Sequence, residues 1–570
     1  MFSLGKRTGQ FDNFPSRHVI SNFYLPIRLN MTVRKSRPTE SRFFGGPMKH
    51  SILKLLALFA LFASVGVAQD VNSFGKRITV KKLPNGLTIL ICERPEAPVF
   101  SFHTLVDAGS VQDPMGKTGL AHMFEHMAFK GTDTIGSKDY PAEKVALKKV
   151  ETAYAAYLRE RDKSVGRDEA RLKQLEQAWK DAIAEADKYV VPNQFGKIIE
   201  QSGGQDLNAS TDYDETEYHY SLPTNRLELW AYLESERFLH PVMREFYKER
   251  NVVIEERRMR TDSSPVGRLL EQFGASAFEA HPYHRPTVGW ISDLNSFSAT
   301  DAKHFFDEYY VAANMVVAVA GDIKAADAMP ILEKYFGRLP ASEKPDETTT
   351  IEPAQNSERK VVLKDRSQPL YLEGYHRPDY MSKDDAVYDA ITDLMSEGRT
   401  SRLYRALVRD KKIAAFSAGF SGLPGVKYPH LFAFYAFPLP GHSPQEVGDA
   451  IHVEIERLKK EDISDEELQM IKTRAKANLL RGLAENEGLA NQLATYQTRY
   501  GDWRELFRSV ERIDKVTKAD IRRVANETFT DTNRTIGIIE TVPGGGETGE
   551  QGPAEQSSSD EPSPTQGGSR

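Results

Sequence analysis

Cysteine is all but missing from this 570-residue chain: Cys92 stands alone. An intrachain disulfide is impossible, and a cysteine-based zinc site is excluded. A dominant charge is missing too. Formal net charge is −6, with 75 Lys and Arg against 81 Asp and Glu, so nothing favours a nucleic acid as partner. The apolar run at residues 55–67 is too short to cross a bilayer comfortably, and no stable membrane span is expected in the mature chain. What is present, 40% hydrophobic and 27% charged residues, is ordinary for a soluble globular protein with two or more full cores.

Any metal must therefore be held by histidines and carboxylates. The stretch Gly119-Leu120-Ala121-His122-Met123-Phe124-Glu125-His126 offers such a site. Side chains four apart share one helical face, so His122 and His126 sit over the same spot. Two neutral imidazoles suit Zn2+, and a catalytic zinc needs a third protein ligand and one open position. Glu125 borders that face and can act on a water there without being a ligand. The order is the inverse of the His-Glu-x-x-His zinc helix.

The rest of the chain divides around this stretch. Residues 1–47 are basic and irregular, and residues 48–68 have the layout of a secretory signal peptide: basic start, short apolar middle, Gly66-Val67-Ala68 at the end. The economical reading starts translation at Met48 and treats 1–47 as a non-native or disordered extension. The competing reading is an organellar presequence. Export to the periplasm or outside the cell is expected first. Residues 72–339 read as one domain. In it, 88–92 and 99–106 are expected as antiparallel neighbours, 203–211 and 216–222 as a strand pair, 227–239 and 246–260 as helices, and 314–320 as a buried strand. Residues 139–191 read as an inserted hairpin of two amphipathic helices, turning at Ser164-Val165-Gly166. Residues 340–358 read as a linker, 359–542 as a second domain, and 543–570 as a disordered tail.

The two domains repeat one another. Thr300-Asp301-Ala302 to Asn314, followed by a strand, matches Ala519-Asp520-Ile521 to Asn533 at equal spacing. Residues 360–363 and 370–375 repeat the strand pair of 88–106. The second copy has no His-x-x-Glu-His; at the corresponding helix it has Leu394-Met395-Ser396-Glu397-Gly398. The expected fold is α+β: two homologous domains, each a largely antiparallel sheet packed with helices.

With these features the chain resembles the pitrilysin/insulinase family of zinc peptidases, mitochondrial processing peptidases included. The likeness covers roughly residues 72–545. It rests on the His122 motif, Gly131-Thr132, Asn208-Ala209, Glu249-Arg250-Asn251-Val252-Val253-Ile254-Glu255-Glu256, His281-Pro282-Tyr283 and the duplication. The resemblance implies a half-clamshell fold, Zn2+ held by His122, His126 and Glu256, and Glu249 supporting from behind. Glu125 is implied as general base, and a peptide substrate as a strand added along 207–211, with Asn208 and Ala209 as contacts. It also implies a homodimer, or a heterodimer with another family member, closing a chamber around unfolded peptides. The interval from His126 to Glu256 exceeds that of compact members, and the hairpin accounts for it by projecting from the domain. The family's Arg/Tyr pair that polarises the substrate carbonyl has Arg402, Tyr428 and Tyr435 as candidates. Two readings without turnover share this fold: a peptide-holding partner subunit and a structural scaffold.

Overall fold

The computed structural model describes residues 74–542. The signal peptide read at 48–68, the residues before it and the tail from 543 lie outside the described residues. Two sheets organise what is described. The first contains β1 (Ile78–Lys82), β2 (Thr88–Glu93), β3 (Val99–Val106), β4 (Gln205–Thr211), β5 (Thr216–Pro223) and β6 (Met315–Gly321), in the order β1-β2-β6-β3-β5-β4. The second contains β7 (Arg359–Asp365), β8 (Leu370–Arg377), β9 (Ala414–Leu423), β10 (His430–Pro438) and β11 (Arg534–Thr541), in the order β7-β11-β8-β10-β9.

The sheet order corrects one expectation. β2 and β3 are not neighbours. β6 lies between them, parallel to β2 (Ile89 opposite Val317) and antiparallel to β3 (Phe102 opposite Val319). All seven residues of β6 are buried. A strand apolar on both faces belongs inside a sheet, since at an edge its bare backbone would invite pairing with other chains. β2 forms its hairpin with β1, a mostly exposed strand that the sequence pattern does not announce. The second half repeats the device: β11 runs parallel to β7 and antiparallel to β8. The duplication therefore extends to strand order.

The two faces of the first sheet are covered differently. On the front, Phe100, Phe102, Tyr218 and Tyr220 pack with Trp230 and Phe336 from the helices Leu227–Leu239 and Ala325–Phe336. On the back, Leu90, Cys92, Leu105 and Ala318 pack against Leu489, Leu493 and Trp503. Leu489 and Leu493 come from the helix Asn486–Tyr500, so the second half seals the back of the first.

The hairpin at 139–191 is present as the paired helices Tyr140–Arg161 and Glu169–Asp187. It does more than project. Tyr154 and Trp179 each pack on Tyr247, at centroid distances of 4.4 and 5.1 Å. Its Glu151 also accepts the Tyr247 hydroxyl at 2.6 Å. Tyr247 belongs to the helix Phe246–Arg257, so the hairpin's aromatic stripe is covered by the element that also carries Glu249 and Glu256. At the hairpin's base Arg244 donates to both oxygens of Glu143 at 2.8 Å, and to the carbonyls of Lys130, Thr132 and Ile135. Both side chains are buried. Glu143→Gln leaves a buried guanidinium without its counter-charge and should destabilise the fold by about 3–5 kcal/mol. Urea unfolding of the full chain measures this.

Candidate metal centre

The helix Leu120–Met127 is short and firmly started. Gly119 precedes it at φ +94°, and a Cβ there would come within 2.8 Å of the Val288 carbonyl oxygen. Only glycine meets both conditions. Asp113 accepts the amides of Gly119 at 2.7 Å and Ala121 at 2.9 Å, standing in for an N-cap side chain. Arg285 holds the loop behind it through the Asp113 and Val111 carbonyls. Leu120, Met123, Phe124 and Met127 enter the front core. His122 and His126 face the helix Phe246–Arg257 instead.

Three donors meet there. Glu256 Oε2 lies 3.6 Å from His122 Nε2 and 3.4 Å from His126 Nε2. The imidazoles stand nearly perpendicular, 4.9 Å apart at their centres. Glu249, two turns before Glu256, puts Oε2 3.5 Å from His126 Nδ1 and pairs its other oxygen with Lys130. Arg260 donates to Glu256 Oε1 at 2.7 Å, leaving Oε2 to the histidines.

The electrostatics favour a cation. Burial pushes His122 down to about 4, keeping it neutral. Burial also opposes charge on Glu256, but the His126 hydrogen bond, the adjacent His122 ring and the Arg260 guanidinium outweigh it and hold Glu256 at about 2. His126 is lifted to about 9, because Glu249 and Glu256 overcome its burial. A neutral imidazole and an ionised carboxylate are the forms that bind a metal, and the proton drawn to His126 marks where positive charge is wanted. Tetrahedral zinc with bonds of about 2.0–2.1 Å sets its ligands about 3.4 Å apart, matching the separations above. The residues fit the group.

Glu125 lies beside these donors, half-buried. Burial raises its pKa, and a hydrogen bond from Thr211 holds it back. Thr211 ends β4, the edge strand of the sheet, which places Asn208 and Ala209 on a largely exposed edge. β4 pairs with β5 on one side, Ala209 opposite Tyr218. Arg402 is buried and bound at 2.9 Å to both oxygens of Glu467. Tyr428 packs on His281 and Tyr283, and Tyr435 packs among Phe416, Phe420 and Phe437. None of the three joins the His122 cluster. Sequence reading missed Asp113, Thr211, Arg260 and Lys130. Only Arg260 carried a local signal, its place one turn after Glu256.

This is the fold of a metallopeptidase, with two histidines and a carboxylate gathered at one end of a sheet. The insulinase (peptidase M16) family model matches residues 88–158 and 183–289, and the peptidase M16 inactive-domain model matches 296–475. The chain belongs to this pitrilysin/insulinase family. The break at 159–182 falls within the helical hairpin. Zinc protease PqqE of Helicobacter pylori is 29% identical over 503 residues, covering 86% of this chain and 99% of that protein. The uncharacterized zinc protease YmxG of Bacillus subtilis is 22% identical, covering 78% of this chain and 94% of its own length. The crystal structure of a protease from Helicobacter pylori superimposes with a TM-score of 0.67 at 27% identity, covering 81% of this chain and 99% of that one. The first half of the periplasmic protease PqqL of Escherichia coli shares the fold, with a TM-score of 0.61 at 18% identity, covering 82% of this chain and 92% of that one.

Asp113→Ala removes the acceptor for two helix-start amides. It should cost about 1–2 kcal/mol of stability, read by thermal or urea unfolding of the full chain.

Proposed function

We propose that this chain is a zinc-dependent metalloendopeptidase acting on extended or unfolded peptides. One observation carries the reading. The convergence of His122, His126 and Glu256 lies beside a half-buried carboxylate, Glu125, that is tied through Thr211 to an open sheet edge. Zinc held by those three side chains would supply a Lewis acid for the scissile carbonyl and for the attacking water. Glu125 takes the proton of that water and returns it to the leaving amine. Its burial makes it a better base than a solvated carboxylate, and Thr211 fixes its direction. Glu249 orients His126, and Arg260 orients Glu256. Substrate lies along β4 as a further antiparallel or parallel strand, held by backbone hydrogen bonds. Residues alternate along a strand, so one of Asn208 and Ala209 turns its N–H away from β5 toward the substrate.

The signal-peptide layout of residues 48–68 supports a mature chain outside the cytoplasm. A second chain, identical or another family member, closes the site into a chamber that admits extended peptides and refuses folded proteins.

Glu125→Gln tests the base. Turnover of a quenched peptide should fall by about 10²–10⁴-fold or more, with zinc content unchanged. Near wild-type cleavage by this variant removes Glu125 from the role, and bound zinc without cleavage by the parent chain favours a peptide-holding subunit. Substrate geometry has a separate test. Peptides N-methylated beside the scissile bond lose a donor to β4, and kcat/KM should drop about tenfold for the loss of roughly one hydrogen bond. Equal rates for methylated and parent peptides would rule out strand addition.

A further inference from the structure

We propose that His103, Glu217 and His219 form a second site for a divalent transition metal of the Zn2+ class, one that is structural and not catalytic. It lies on the back of the first sheet. His103 and His219 face each other across β3 and β5, with ring centres 4.6 Å apart and planes 19° from parallel, so one ring must turn about its Cβ–Cγ bond for both nitrogens to meet one ion. Glu217 is two residues before His219, on the same face of β5. One donor atom from each of the three lies within 4.8 Å of the others, and His103 Nδ1 is 3.3 Å from Glu217 Oε2. Two imidazole nitrogens and a carboxylate oxygen make a donor set that suits zinc.

The surroundings repeat the organisation of the catalytic cluster. There, Glu249 faces the second nitrogen of His126, and Arg260 takes the second oxygen of Glu256. Here, Glu487 Oε1 faces His103 Nε2 at 3.8 Å, and Ser210 donates to Glu217 Oε1 at 3.0 Å. A carboxylate behind a ligating histidine fixes its tautomer and raises its basicity. The Asn491 amide stands over the point of convergence, with Nδ2 2.9 Å from Glu217 Oε2 and 3.4 Å from His103 Nδ1. Half a turn of that amide presents Oδ1 as a fourth donor.

The setting argues for a structural role. Leu90, Cys92, Ala318, Leu489 and Leu493 make this interface apolar around the cluster. His103 is 1% exposed and Glu217 6%. Within this interface Glu217 Oε2 already meets His103 Nδ1 and the Asn491 amide. A dication in their midst balances the Glu217 and Glu487 carboxylates and fastens β3 and β5 to the helix Asn486–Tyr500, which carries both Glu487 and Asn491.

Metal stoichiometry tests the site independently of peptidase activity. The full chain, stripped with chelator and titrated with Zn2+ against a chromophoric competitor, should take up two equivalents. Glu217→Gln keeps the side chain's shape and should lose one; H122N/H126N should lose the other. Glu487→Gln should weaken the second equivalent by about 10–100-fold. In the H122N/H126N chain, Co2+ should still give the absorption bands of one nitrogen and oxygen site, and adding Glu217→Gln should erase them. The Co2+ bands of the H122N/H126N chain can be read even if Glu217→Gln fails to fold. A single equivalent in the parent chain that survives Glu217→Gln overturns the proposal. So does an H122N/H126N chain of native circular dichroism that takes up no Co2+. A single equivalent that Glu217→Gln removes, and H122N/H126N keeps, supports this site and counts against the catalytic one.

Discussion

The structure turns on holding four ionisable side chains close together, largely shielded from water, on two helices distant in sequence. His122 and His126 come from one helix, and Glu249 and Glu256 from the other. Such a grouping is costly to bury unless every charge has a partner. Much of the surrounding architecture supplies partners or stiffness. Asp113 and Arg285 fix the start of the first helix. Lys130 and Arg260 complete the carboxylates of the second. The hairpin packs its aromatic stripe on Tyr247 and so braces the helix that bears both glutamates. An insertion in sequence thus acts as a buttress in space.

Duplication gave the two halves the same strand order but different duties. In the first, a helix beside edge strand β4 carries the histidines. In the second, the helix Asp385–Ser396 packs against β9 and buries Leu394 and Met395 in an apolar core. The second half contributes by contact. Its helix Asn486–Tyr500 covers the back of the first sheet, and Arg499 pairs with Glu215 beside the β4–β5 turn. The 340–358 stretch, without helix or strand, is pinned by Glu352, which accepts the amides of Glu279, Ala280 and His281.

How much was legible in the sequence follows from how local each feature is. His122, Glu125 and His126 lie within a turn and a half, so helical geometry alone brings them together. The helix Leu227–Leu239 and the hairpin helices announced themselves by apolar spacing, again a local property. Glu256 is distant, and no spacing from His126 could point to it; the family resemblance did. Strand order failed for the same reason: β2 and β3 are adjacent in sequence, while the strand that separates them arrives some two hundred residues later. The His103 cluster left a faint trace, a histidine within an apolar strand and Glu217-x-His219 alternating on another. Such a pattern acquires meaning only when the strands are seen to pair. Thr211 had none, since a threonine at a strand's end is commonplace.

The placement of β6 and β11 has a consequence for how this chain reaches its final form. Each is the last strand of its sheet to be synthesised, and each occupies an interior slot. Until it arrives, β2 and β3, or β7 and β8, have no common neighbour to join them. Contacts of such long sequence separation make for slow closure. A chain emerging in order therefore leaves the middle of each sheet open until that sheet's final strand is delivered.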